Sequence, residues 1–187
     1  MATKRFDPGR EFLNAAQHSL KKSYLPKIVK CLNALSEQDT WWRPNEASNS
    51  AGNLMLHLSG NVQQFITSRI GGSPDVRERD KEFSELGPLP RAGLVALLRS
   101  TVDEACRVLA NMPGDSLGEP FDAPGPRITR LRAIANVLEH FSYHAGQIAY
   151  IAKLKTARDL KLFRLPQPKA TEPAKPDRRK KNSTRAR

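Results

Sequence analysis

Apolar residues recur along this chain at three- and four-residue steps over four long stretches. That is the spacing of one helix face, not of a strand. The first stretch, residues 9–36, carries Phe12, Ala16, Leu20, Ile28, Leu32 and Leu35. Pro26 lies inside it. Proline offers no N–H and crowds the preceding turn, which predicts a kink near residues 22–25. The second stretch, 51–70, carries Leu54, His57, Leu58, Asn61 and Phe65, with Ser50 as N-cap and Gly71-Gly72 as its stop. The third, 91–112, carries Leu94, Leu97, Leu98, Thr101, Val102, Ala105, Val108, Leu109 and Met112, and Pro113-Gly114 ends it. The fourth, 128–155, carries Ile134, Val137, His140, Phe141, His144, Ile148 and Ile151, with Thr129 in position to cap it. No strand alternation, hairpin signal or internal repeat is visible. Four amphipathic helices without strands predict an all-α fold, a four-helix bundle.

The connections differ in character. Residues 37–49 (EQDTWWRPNEASN) read as a loop or short turn and hold the chain's only two tryptophans, Trp41 and Trp42. These read as a plug for one end of the bundle, with walling a pocket as the other role open to rigid aromatic rings. Residues 73–90 form a long polar connection with a charge cluster at 75–82 (DVRERDKE). Long connections are often functional. Arg77, Glu78, Arg79 and Asp80 read equally as a solvated face or as a grip on an anionic substrate arm. Residues 115–126 form a loop rich in Gly and Pro, and 156–165 should pack as a short extra turn.

Composition adds a boundary. Residues 166–187 contain no Val, Ile, Leu, Met or aromatic side chain. Such a segment buries too little apolar surface to offset the entropy of ordering. The chain therefore divides into a bundle domain, 1–165, and a disordered tail, 166–187. Eight of the tail's residues are Lys or Arg and two are acidic, so it carries half of the formal charge of +12. The tail lacks the aromatic platforms of a single-strand binder, so its charge predicts weak, salt-sensitive association and no specific nucleic-acid recognition. Cys31 and Cys106 match no zinc or redox spacing and read as buried, reduced thiols. No secretory signal and no run long enough to span a membrane is apparent, which predicts a cytoplasmic protein.

The candidate chemistry lies in three of the four histidines. His140 and His144 stand four residues apart, on one helix face about a turn from each other. That face is also the apolar stripe, so both rings point toward the bundle core, where an imidazole needs a partner. His57 has the same inward character on the second helix. Three histidines on facing helices can share one ion and leave positions open for water or substrate. Alternatively, inward histidines can bond backbone or side-chain groups and be structural. His18 lies off the first stripe and reads as solvated. Val137 and Phe141 stand where a carboxylate-bridged di-iron bundle needs glutamates, and no H-E-x-x-H motif is present. Around the histidines, Glu139, Asn61, Tyr143 and Gln147 are the candidates to orient a ring, contact substrate or move a proton.

Three stretches carry a family resemblance: WWRPNEASNSAGNLMLHLSGN (41–61), GGSPDVRERDKEF (71–83) and LEHFSYHAGQIAYIAKL (138–154). In these the chain resembles the DinB/YfiT-like superfamily of metal-dependent bundle enzymes, in a branch of mostly uncharacterised members. The likeness runs from the first helix to about Lys155 and excludes the basic tail. It implies one metal ligand on the second helix and an H-x-x-x-H pair on the fourth, hence His57, His140 and His144. It implies a divalent ion, zinc or nickel first, with iron or manganese as alternatives. It also implies a small-molecule substrate, with low-molecular-weight thiols used by characterised relatives; a homodimer is one assembly open to the chain. The expected chemistry is Lewis-acid activation of a bound water or thiol in a transferase, hydrolase or isomerase. The competing reading is a non-catalytic, metal-stabilised or stress-related bundle whose basic tail draws acidic partners.

Overall fold

In a computed structural model of the chain, residues 5–122 and 127–163 are described. The expected tail, 166–187, lies outside them. Four helical rods pack around one core. The first comprises α1 (Pro8–His18), a π-helical turn (Ser19–Tyr24) and α2 (Leu25–Ala34). The second comprises α4 (Ala51–Val62) and a further π-helical turn (Gln63–Ser68). The third is α6 (Arg91–Asn111) and the fourth α7 (Arg130–Thr156). Short helices α3 (Glu37–Thr40) and α5 (Arg79–Ser84) lie in the first two connections. The rod built on α4 packs against both α6 and α7, and α2 packs against α7.

The predicted kink takes the form of a π-turn. Pro26 cannot donate to the carbonyl one turn back, and the chain takes up an extra residue just before it, with Pro26 seated in the first turn of α2. The inward positions accordingly step from Leu20 to Leu25, five residues rather than four, and both are buried. The second π-turn has no proline and no sequence signal. After His57 the buried positions become Leu58, Val62 and Ile66, whereas the predicted Phe65 is half-buried and stacks on Phe121 at 5.9 Å between centroids. Leu97 also departs from its predicted inward place, at 44% exposed.

The starts of α4 and α7 follow their caps. Ser50 closes a capping box with Asn53 at the head of α4, and Thr129 accepts from the Arg132 N–H at the head of α7. Contrary to the strand-free expectation, a two-residue antiparallel ladder pairs β1 (Pro120–Phe121) with β2 (Ile128–Thr129). It delivers the chain into α7, whose first N–H bonds Glu119 O at 2.9 Å. Residues 157–163 form no helical turn, correcting the expected extra one. Leu160 nonetheless packs on the core. Cys31 and Cys106 are free and buried, and burial pushes the Cys31 thiol up to about 11. Among the described residues no helix is long and apolar enough to cross a membrane.

Candidate metal centre

Three imidazoles meet between α4 and α7. The Nε2 atom of His140 lies 2.9 Å from Nε2 of His57 and 3.0 Å from Nε2 of His144. The nearest ligand atoms of all three fall within 4.8 Å of one another. His57 is 5% exposed, while His140 and His144 are half-buried. The helix spacing thus brings the sequence-predicted trio together.

The outer nitrogens of two rings are held. Nδ1 of His57 lies 2.8 Å from Oε2 of Glu82, and Nδ1 of His144 lies 2.6 Å from Oε1 of Gln147. A carboxylate and an amide oxygen can only accept, so each Nδ1 carries the proton and each Nε2 presents its lone pair inward. His140 can give at most one proton toward these two lone pairs, and its own Nδ1 is buried without a partner among the described residues. The trio therefore presents more acceptors than donors to one point. A cation answers that surplus, and imidazole suits zinc, nickel and iron. Nitrogens about 2.0–2.1 Å from one ion can lie at the spacings seen here. The residues fit a divalent metal.

Burial lowers the basicity of all three rings. His140 is pushed down to about 4, first by desolvation and then by the neighbouring His144, His57 and Arg77. His57 is lowered by burial against the opposing pull of Glu82, and His144 by burial against that of Gln147. Neutral imidazoles are the form that ligates. In the metal-free protein these shifts also predict a pH dependence of stability. The unfolded chain takes up protons below about 6.5, where the folded rings do not, so the folded state is favoured above that pH. That advantage drains as the pH falls toward about 4. The urea midpoint of the metal-free protein is expected to fall between pH 7.5 and 5, less so in a His140→Ala/His144→Ala variant. Equal slopes in the two proteins would contradict the assignment.

Glu82, which the sequence does not single out, is the carboxylate partner of His57. It lies in α5, inside the charged connection, yet is 7% exposed. Arg77 holds it with two bonds, Nε to Oε1 at 2.7 Å and Nη2 to Oε2 at 2.9 Å. Arg77 is thus turned inward, which departs from both readings of the cluster, a solvated face and a grip on an anionic arm. Glu78 pairs with Lys81 on the surface, and Arg79 lies over the Phe83 ring. The segment is fixed by α4: the Asn53 side-chain amide donates to the carbonyls of Glu82 and Glu85 at 3.0 and 2.7 Å, and Arg43 donates to Phe83 O at 2.9 Å. Gly60 supplies clearance. A Cβ there would run into the Glu82 carboxylate and come within 3.0 Å of Arg77 Nε. Phe83 covers the outer face of His57 at 4.6 Å between ring centroids.

The other predicted residues take separate places. Gln147 orients His144 as described. Tyr143 is exposed, with its ring 5.1 Å from that of His144. Asn61 makes no bond to a histidine ring among the described residues, and its Oδ1 is buried without a partner. Glu139 is exposed, because the residue next to His140 on a helix points about 100° away from it. His18 is exposed, as expected. The two tryptophans divide the roles considered for them. Trp41 packs over Gly52 and Gly87 and donates to Leu89 O at 3.2 Å. Trp42 lines a groove beside the histidines.

Helical rods with imidazoles gathered between the second and fourth define the class: an all-α, DinB-like bundle with a candidate three-histidine metal site. The crystal structure of a DinB-like protein, YjoA of Bacillus subtilis, is similar to this chain with a TM-score of 0.56 and 18% identity. The match covers 74% of this chain and 91% of that one, and at this identity it shows the fold. Residues 7–169 match the model of a family described as a protein of unknown function, DUF1572, and the chain belongs to that family. No curated protein matches it.

Proposed function

We propose that this protein is a divalent-metal-dependent enzyme acting on a small molecule, with His57, His140 and His144 as ligands. The convergence of three Nε2 atoms, two of them with their protons held on the far side of the ring, carries this reading. A divalent ion there supplies Lewis acidity, which lowers the pKa of a water or thiol bound to it. The chain's own groups divide the remaining work. Glu82 and Gln147 fix the tautomers and aim of two rings, and Phe83 keeps water from the covered face of His57. His140 and His144, half-buried, form the accessible side. A low-molecular-weight thiol, in a transfer or isomerisation, is the first substrate class to screen, and hydrolysis is the second. Zinc or nickel is the first metal to expect.

The test is elemental analysis of untagged protein purified without added metal or chelator, followed by activity screens before and after chelation. About one equivalent of metal is expected, with any activity removed by chelator and restored by the ion. Failure to hold metal even after reconstitution would sink the proposal. It would leave the non-catalytic bundle reading, in which deleting residues 166–187 should abolish capture of acidic partners.

A further inference from the structure

A groove of about 640 Å³ runs alongside α7 next to the histidines. Its volume falls in the range of small-molecule sites. None of the three histidines lines it, and it adjoins the centre through two residues of α7. Gln147, which lines it, is the residue bonded to His144, and Tyr143, which also lines it, packs its ring beside His144. Leu54, one turn before His57 on α4, closes it from the other rod.

The chemistry of the lining is one-sided. Trp42, Tyr143 and Tyr150 supply aromatic faces, and Leu54 and Leu154 supply aliphatic surface. Its polar groups are hydroxyls and amides. Among the described residues no Lys, Arg, Asp or Glu lines it, in a chain where 27% of residues are charged. Lys155, next to Leu154 in the chain, is taken up by Asp39 at 2.8 Å and lies over the Trp42 ring at 4.7 Å. Tyr143, Tyr150 and Leu154 stand 65%, 70% and 54% exposed, in one stripe along the helix that carries two of the histidines. A charged ligand would lose hydration here with no countercharge among the described lining residues and with Lys155 already paired to Asp39, whereas a flat, uncharged one would meet three rings.

We infer that this groove binds the uncharged, aromatic portion of the substrate and leads its reacting end to the histidine centre. The direction of approach rests on the metal-centre reading, while the binding preference does not. The probes are 2-naphthol and, as its charged counterpart, 2-naphthoate. Binding is read by NMR from the Trp42 indole N–H signal, assigned with Trp42→Phe. Naphthol should shift that signal, naphthoate should bind at least about tenfold more weakly, and Tyr150→Ala should weaken naphthol about three- to tenfold. Tyr150 is exposed, so its replacement leaves the core intact. Equal binding of the two probes, or no effect of Tyr150→Ala, overturns the inference. So does a dimer that Tyr143→Ser/Tyr150→Ser converts to monomer, since a second copy would then be the occupant. Repeating the titration with manganese-loaded protein separates the two readings. Broadening of the naphthol resonances by the ion supports the groove as the approach to the centre. Metal uptake without broadening refutes that approach. Naphthol binding in a protein that holds no metal refutes the metal centre and leaves the binding preference standing.

Discussion

Replacing both His140 and His144 by alanine is expected to abolish metal binding and leave the helices in place. Structural zinc sites contribute about 10–16 kcal/mol over four ligands, so each ligand carries on the order of 3 kcal/mol. Losing two removes roughly 6 kcal/mol, a weakening of about ten-thousandfold or more. Both rings are half-buried and sit on the single long helix α7, whose cap and apolar residues are untouched by the change. The variant should therefore match the parent in circular dichroism while elemental analysis finds no bound ion. Single variants at His57, His140 and His144 should each lose most of the metal. Retention of a full equivalent in all three would show that the ion, if present, sits elsewhere.

The second large effect is expected at a residue that touches no ion. Glu82→Gln removes the charge that Arg77 grips and weakens the acceptor for Nδ1 of His57. Outer partners of ligating histidines are commonly worth tenfold to a hundredfold in metal affinity, and a loss in that range is expected. Breaking a buried ion pair on one side also costs about 3–5 kcal/mol, so the midpoint of unfolding should drop as well. Gly60→Ala separates the two consequences. It leaves every polar group in the network present but displaces the Glu82 carboxylate, because the added methyl occupies its place. It should lower metal affinity in the same way. In cobalt-substituted protein, both variants should alter the visible spectrum, which loss of stability alone would not. Glu78→Gln, at an exposed carboxylate four residues earlier, should leave both readouts unchanged. Parent-like affinity and spectrum in both Glu82→Gln and Gly60→Ala would reduce Glu82 to a strut for the connection.

The histidine trio could be found in the sequence because helical periodicity converts spacing into direction. His140 and His144 share the stripe of Ile134, Val137 and Ile148, and His57 shares that of Leu54 and Leu58. Gln147 could be found by the same rule, one turn from His144. Glu139 fell to that rule too, since adjacency in sequence is not adjacency on a helix. The π-turns were half visible. Pro26 announces the first, while the second, with no proline, is what moves Phe65 aside and brings Ile66 to the core. Glu82 had no such signal. It belongs to a run of charges whose local pattern reads as solvated, and nothing within that run distinguishes it from Glu78 or Asp80.

By itself, then, the order of residues determined the four rods, the caps of two of them, most of their inward positions and the three imidazoles those faces carry. These are local properties, set by a period of 3.6 residues and by the first-turn chemistry of Ser50 and Thr129. The tertiary structure alone decided which charges of the 73–90 connection turn inward, which tryptophan packs over Gly52 and which one lines a groove, and that Gln147 joins that groove to His144. Those outcomes depend on contacts between segments far apart in the chain: Asn53 with the carbonyls of Glu82 and Glu85, Gly60 with the Glu82 carboxylate, Trp42 with α7. No local period encodes them, because each is fixed by which surface happens to lie opposite once the rods have packed.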